Sequence, residues 1–353
     1  MAQVRRRGTT MDVQRLFESP DFYHFSFDRD DALFAEMDRS TYRRSIFLDR
    51  RIAPKGTKVH RAKLSALYEQ LGSAPQANIG IIFHVAHCGS TLLARALDVE
   101  NANLVCREPM TLRQLGVEAT AWRGAGAPPE EWTRRLQLTA ALLNRRYNSA
   151  GPVIVKANVP VNFMIPELMA LNAGPAILLY ATLEEYLLAI LRSADHQAWV
   201  ERVTGELGAG IEGTLGGFDK GQGLAKTAAQ LWLAQMLIFD DTMRRFPSVV
   251  SLDAEVFFSQ PQHVIGAAFK HFGQAVSDQE VGVIVEGELF SRYSKNPQLT
   301  FSNAERLALR EQIRAELGTE IAAAREWVAK LPAFARLSHT FAKPLAGDGL
   351  IWR

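Results

Sequence analysis

Five runs of strand length carry apolar residues at consecutive positions: IGIIFHV (79–85), NLVCRE (103–108), PVIVKAN (152–158), AILLYAT (176–182) and SVVSLDA (248–254). Consecutive rather than alternating apolar positions mark strands covered on both faces, the usual state of a parallel sheet held between helices. After these runs come stretches with a helical period, at residues 90–99, 130–147, 162–171, 183–193 and 224–245. The last of these is long and apolar along one side. This alternation predicts an α/β fold with a central, mainly parallel sheet flanked by helices in three layers.

The flanks read differently. Residues 1–60 are mixed and charged, and they predict an arm of short helices and loops packing on a core domain that spans 61–335. The stretch GELGAGIEGTLGGFDKGQG (205–223) is rich enough in glycine to predict a mobile loop of about twenty residues, placed like a lid. Helical character returns after Ser302 to about Leu331, and residues 336–353 form an irregular tail. No internal repeat or low-complexity block is present.

Composition narrows the function. With 353 residues, 47% of them hydrophobic, the chain can bury a sizeable core. Forty basic residues against thirty-eight acidic ones leave a formal charge of +2, so no field of one sign points to a nucleic-acid partner or a membrane surface. Any anion site must be local. Cys88 and Cys106 make no disulfide framework or zinc spacing, and no metal site is expected. The N-terminus has arginines but no apolar signal core, and the most apolar stretch, 176–191, is interrupted by Glu184 and Glu185. A soluble, cytoplasmic chain without a membrane span is the expectation.

The candidate chemistry begins in IGIIFHVAHCGSTLLARALD (79–98), a buried strand, a loop of small residues and an amphipathic helix. Backbone N–H groups and the positive end of a helix converge in such a loop, which suits an oxyanion. Gly89 permits close approach, and Ser90 and Thr91 offer hydroxyl donors. The same residues also suit a plain helix cap. The lysine and upstream glycine of a Walker A loop are missing, which argues against ATP hydrolysis and ordinary kinase chemistry.

Several segments in order make the chain resemble the sulfotransferases, P-loop-fold enzymes that use 3′-phosphoadenosine 5′-phosphosulfate (PAPS). The loop residues His87, Cys88, Gly89, Ser90 and Thr91 follow their first loop. LVCREPM, with Glu108 and Pro109, is similar to a strand ending in Glu-Pro in the carbohydrate-modifying branch. VIVKANVP, with Lys156, Asn158 and Pro160, is similar to the Lys-Thr-His-Leu-Pro strand end of the cytosolic branch. VVSLDAEVFFSQPQHVIGAAFKHFG follows the late acidic pair, proline and closing helix through Asp253, Glu255, Pro261, Phe272 and Gly273. The resemblance spans roughly 79–273 and implies a three-layer P-loop NTPase-like fold, PAPS as donor and a small-molecule or glycan acceptor.

This chain also departs from the family pattern. His87 stands where the family has Lys or Arg, and Asn158 where the cytosolic branch has its catalytic histidine. The family's 3′-phosphate Arg and Ser fall near Tyr180 or Ala181 and near Leu188 or Ala189, with Arg192 and Ser193 one turn further on as substitutes.

Sulfuryl transfer asks for an amide cradle, cations and a base. Lys156, at a strand end, is the candidate to stabilise the bridging oxygen, with His87 assisting. Glu108 is either the general base or a salt-bridge partner of an arginine such as Arg107. His84 reads as a core residue, and Asp195 with His196 as a solvated helix end. SRYSKNPQ (291–298) offers Arg292, Ser294 and Lys295, for a 3′-phosphate or merely as an exposed turn. Arg50, Arg51 and Lys55 either fold over the site or are solvated. Three functions stay open: a sulfotransferase, a P-loop-fold nucleotide-binding protein without transferase activity, and an atypical kinase.

Overall fold

The computed structural model describes residues 12–52, 56, 58–72, 74–123, 126–148 and 151–352. The N-terminal arm contains more than short helices and loops. Strands β1 (Phe22–Asp28), β2 (Asp31–Glu36) and β3 (Val59–Lys63) form an antiparallel sheet that crosses the expected boundary at residue 60. The charged positions that suggested loops are the exposed members of alternating strands, as in β3, where His60 and Ala62 are buried between exposed neighbours. The arm is locked down by two buried arginines. Arg107 donates to the carbonyls of Tyr42, Arg43, Ser45 and Ile46, and Arg145 to those of Leu16, Ser19 and Phe22.

The central sheet has the expected form. Strands β4 (Ile79–His84), β5 (Leu104–Arg107), β6 (Val153–Lys156), β7 (Ala176–Tyr180) and β8 (Val249–Asp253) are all parallel, in the order β5-β6-β4-β7-β8. Nearly every residue in them is buried, as the unbroken apolar runs imply. After β4 the chain runs to the edge strand β5 and returns to β6 between them, then crosses to β7 and β8 on the other side. The C-terminal end of β4 is therefore a switch point, where open α/β sheets form their ligand crevices.

Two helical expectations change. Residues 205–215 belong to a helix, Ala194–Leu215, and only 216–223 connect it to the Leu224–Arg245 helix. A helical glycine costs about 1 kcal/mol relative to alanine, but Val200, Val203, Leu207 and Ile211 give this helix a buried face. Gly210 also lets it close on Thr120 and Phe163, where a Cβ would lie 2.9 Å from both side chains. The stretch expected to be helical at 162–171 begins instead as a 3-10 turn, Val159–Met164, before the Ile165–Leu171 helix.

The tail runs beside the free edge of β8: Ser251 donates to Lys343 and accepts from Leu345. No helix among the described residues is long and apolar enough to cross a membrane.

Candidate functional site

At the C-terminal edge of the sheet lies a cavity of about 750 Å³. Its floor is the loop after β4. His87 and Gly89 both take positive φ (60° and 85°), and Gly89 caps the Ser90–Ala96 helix. Glycine is required there twice over, because a Cβ would also sit 2.7 Å from the Phe258 ring. His87, Cys88, Gly89, Ser90 and Thr91 all line the cavity. The Thr91 hydroxyl is buried without a hydrogen-bond partner. The Cys88 thiol donates to the Val85 carbonyl, and burial pushes its pKa up to about 11, so this residue can offer an anion only its backbone.

Glu108 follows β5 at φ 56° and faces the cavity. Its carboxylate pairs with Lys156, not with Arg107, which is turned into the arm and onto Asp98. Lys156 does not reach the cavity; its side chain is wholly buried and its ammonium lies 5.4 Å over the Phe47 ring. The lysine that lines the cavity is Lys295. It sits at the tip of a hairpin formed by β9 (Arg292–Tyr293) and β10 (Asn296–Thr300), and Arg292, Tyr293, Ser294 and Lys295 all line the cavity. Arg95, in the helix after the loop, donates to the Ser294 carbonyl at 2.9 Å and ties the hairpin to the floor. Desolvation, then Lys156, push the Lys295 pKa down.

Arg192 also lines the cavity, whereas Ser193 binds a neighbour. Both hold His196, which is half-buried in the first turn of the Ala194–Leu215 helix beside the exposed Asp195: the Arg192 Nε lies 3.2 Å from its Nε2, the Ser193 Oγ lies 2.6 Å from its Nδ1, and its ring lies tilted 4.2 Å from that of His87. His84 is buried, its ring nitrogens 2.7 and 2.8 Å from the carbonyls of Val85 and Ala157. Asn158 lines the cavity, and its buried side-chain oxygen has no partner.

The arm contributes Phe47, Asp49, Arg50 and Arg51 to the lining; Lys55 lies outside the described residues. The long C-terminal helix, Asn303–Val328, contributes Arg306 and Arg310. These two are clamped by Glu255, with Arg306 bonded to both carboxylate oxygens at 2.7 and 2.8 Å, and Arg310 also pairs with Glu185. Sequence reasoning missed both arginines. The only available signal was the acidic residue Glu255, whose partner lies fifty positions away.

Nine basic side chains and five carboxylates line the cavity. The carboxylates are all engaged: Asp49 with Arg51, Glu108 with Lys156, Glu206 with Arg113, and Glu185 and Glu255 with Arg310 and Arg306. Arg50, Arg192, Arg202, Arg292 and Lys295 have no carboxylate partner among the described residues. A chain of almost balanced charge thus concentrates unpaired positive charge around one loop. Among the described residues no cluster of His, Cys, Asp and Glu is arranged to hold a metal ion.

No family model matches the chain, and no curated protein does. Among solved structures the chain is similar to a sulfotransferase domain from the curacin biosynthetic pathway, with 11% identity over 76% of this chain and 99% of that one, at a TM-score of 0.42. It is also similar to a sulfotransferase from Mycobacterium avium, with 11% identity over 72% and 81% of the two chains and a TM-score of 0.41. A third, a sulfotransferase from Mycobacterium tuberculosis, shares 13% identity over 78% and 83% of the two chains at a TM-score of 0.40. The chemistry of the cavity therefore stands on the cavity's own residues.

Proposed function

We propose that this protein is a sulfotransferase that moves a sulfuryl group from PAPS to a hydroxyl or amine of a small molecule or glycan. The observation that carries this reading is the set of unpaired cations gathered around the Gly89–Ser90–Thr91 loop in a cavity of ligand size. The order of the sequence segments that resemble sulfotransferases supports the same donor.

The aromatic side chains of Phe258, Tyr293 and Phe301 line the cavity together with Arg192, Arg292 and Lys295, a combination suited to a purine ring carrying phosphates. Glu108 and Asn158, which follow β5 and β6, line it with Arg113, and we assign the acceptor to these residues.

In this assignment the loop amides and the Ser90 and Thr91 hydroxyls hold the 5′-phosphosulfate, and Lys295 faces the bridging oxygen on which charge develops. Glu108 takes the proton of the acceptor hydroxyl as the new S–O bond forms and the bond to the nucleotide breaks. Lys156 holds Glu108 in place from behind. Arg192 and Arg292, which line the cavity, are the candidates for the 3′-phosphate, while Ser193 is turned to His196. The partners implied are the nucleotide and a small acceptor.

One observation favours a second reading, a nucleotide-binding protein without transferase activity: the Lys156 ammonium is withdrawn from the cavity into its pair with Glu108. Calorimetric titration with 3′-phosphoadenosine 5′-phosphate, with ATP and adenosine 5′-phosphosulfate as comparisons, tests the donor. Preference for the 3′-phosphorylated nucleotide, with transfer of labelled sulfate to some member of an acceptor panel, fits the sulfotransferase. Binding without transfer supports the second reading, and a preference for ATP rejects the PAPS assignment.

A further inference from the structure

His87 and His196 come from separate elements, the loop after β4 and the Ala194–Leu215 helix, and their rings meet 4.2 Å apart at an angle of 48°. The polar contacts of His196 fix its state. The Arg192 guanidinium can only donate, so the Nε2 it contacts at 3.2 Å carries the lone pair, and the proton sits on Nδ1, which donates to the Ser193 oxygen. His196 is thus a neutral imidazole whose acceptor nitrogen is occupied by a cation that also lines the anion cavity.

The surrounding charges hold both rings in that state. Arg192 and Lys295 act on both, and His196 and His84 add to them at His87; Asp195 works in the opposite direction, at His196. The other charged groups around this end of the cavity are Arg292 from the hairpin and Arg202 from the helix, together with Glu108 at the sheet edge, which is already paired with Lys156. With burial as the main cause and these cations following, the His87 pKa lies well below its ordinary value and that of His196 is pushed down to about 4.

We propose that the His87–His196 pair is a proton-binding part of the anion site, so that a phosphate or sulfate group entering beside Arg192 and Lys295 binds together with a proton taken from solvent. The anion draws the Arg192 guanidinium to itself and frees the Nε2 lone pair. It also reverses the local field from repelling to favouring an imidazolium. The proton lands on Nε2 of His196 or on a ring nitrogen of His87; on His87, which lines the cavity, the new N–H becomes a further donor to the anion, and on His196 the charge acts from behind it. Histidine here replaces the permanent loop cation with one that exists only when the ligand is present. The inference rests on reading the cavity as an anion site, but not on PAPS being the donor.

The test is calorimetry at neutral pH in bis-Tris and in Tris, two cationic buffers of different ionisation enthalpy. The probes are sodium sulfate, which does not titrate near neutrality, and 3′-phosphoadenosine 5′-phosphate, whose phosphates titrate near pH 6. The expected result is a binding enthalpy that differs between buffers by the amount of proton uptake, for sulfate as well as for the nucleotide. Affinity should rise up to tenfold per pH unit of acidification for each proton bound. His196→Gln and His87→Gln should each reduce the uptake and flatten the pH profile. A titration of the histidine ring protons by NMR, in wild-type protein with and without sulfate, gives the same answer if a variant folds poorly.

Buffer-independent enthalpies, uptake unchanged in both variants, or no binding of either probe would overturn the proposal. Nucleotide binding without proton uptake removes this inference and leaves the transferase reading standing. Sulfate binding with uptake, but no nucleotide binding, does the reverse.

Discussion

Arg306 and Arg310 border the same cavity as Arg192, Arg292 and Lys295, yet the two groups are used in different ways. The first pair is held by Glu255 and Glu185, and Glu184 extends the clamp to Arg314 and Arg325 along the same helix. The second group has no carboxylate partner among the described residues. Charges that are neutralised by their neighbours fasten the Asn303–Val328 helix over the sheet and have little field left for a ligand. Charges without a carboxylate partner keep their field and are available to an anion. In this cavity, position alone does not distinguish a binding arginine from a structural one; its partner does.

The largest effect is expected from breaking the clamp. Glu255→Gln leaves Arg306 and Arg310 short of charge on a partly exposed surface, and should lower unfolding free energy by about 3 kcal/mol, as a denaturant midpoint shift would show. A neutral effect on stability would mean that the clamp is no more structural than the open cations.

Acidification acts on buried neutral histidines, and the next largest effect is expected there. His24 has neither ring nitrogen bonded, and burial, then Arg145, push its pKa down to about 3. Its folded pKa lies below the unfolded value of 6.5, so the unfolded chain binds the proton first. Stability is then full above the unfolded value and falls as pH drops toward the folded one, by about 1.4 kcal/mol per pH unit for this residue. In urea titrations between neutral pH and about pH 5, His24 should account for about 2 kcal/mol of the loss, a share that disappears in His24→Phe. Bound sulfate should moderate the share contributed by His87 and His196, but not that of His24.

A smaller loss, about 1–2 kcal/mol, is expected for Gly89→Ala from its left-handed backbone, before Phe258 adjusts. The same change should remove calorimetric binding of 3′-phosphoadenosine 5′-phosphate, because the loop must move. Lys295→Ala closes the series. Thermal stability should move by less than about 0.5 kcal/mol, while nucleotide affinity falls about 10- to 100-fold, the usual weight of a hydrogen bond to a charged group. Substantial destabilisation by this last change would erase the contrast between the two sets.

The strands and most helices were legible because burial on both faces writes itself into consecutive apolar positions, as in 79–85 and 176–182. The Leu224–Arg245 helix was read with both ends in place. The reading failed where local preference and packing disagree. Glycines at 205, 208 and 210 predict a loop, yet Gly210 is what allows its helix to touch Thr120 and Phe163. Of the residues singled out from sequence, those from His87 to Thr91, and Arg292 and Lys295 from a segment read as a loop, line the cavity. Lys156 was found too, but its ammonium faces Glu108 and not the cavity.

The sequence by itself determined a parallel α/β sheet, a small-residue loop at the end of its first strand, and a charge balance that forces any anion site to be local. These follow from composition, from unbroken apolar runs and from the 3.6-residue helical period, which neighbouring positions record. Tertiary structure alone decided which cations remain unpaired, that His196 meets His87, and that Arg306 and Arg310 are bound to Glu255. Those outcomes depend on which distant side chains share a few ångströms, and electrostatic pairing over that distance leaves no trace in the spacing of residues along the chain.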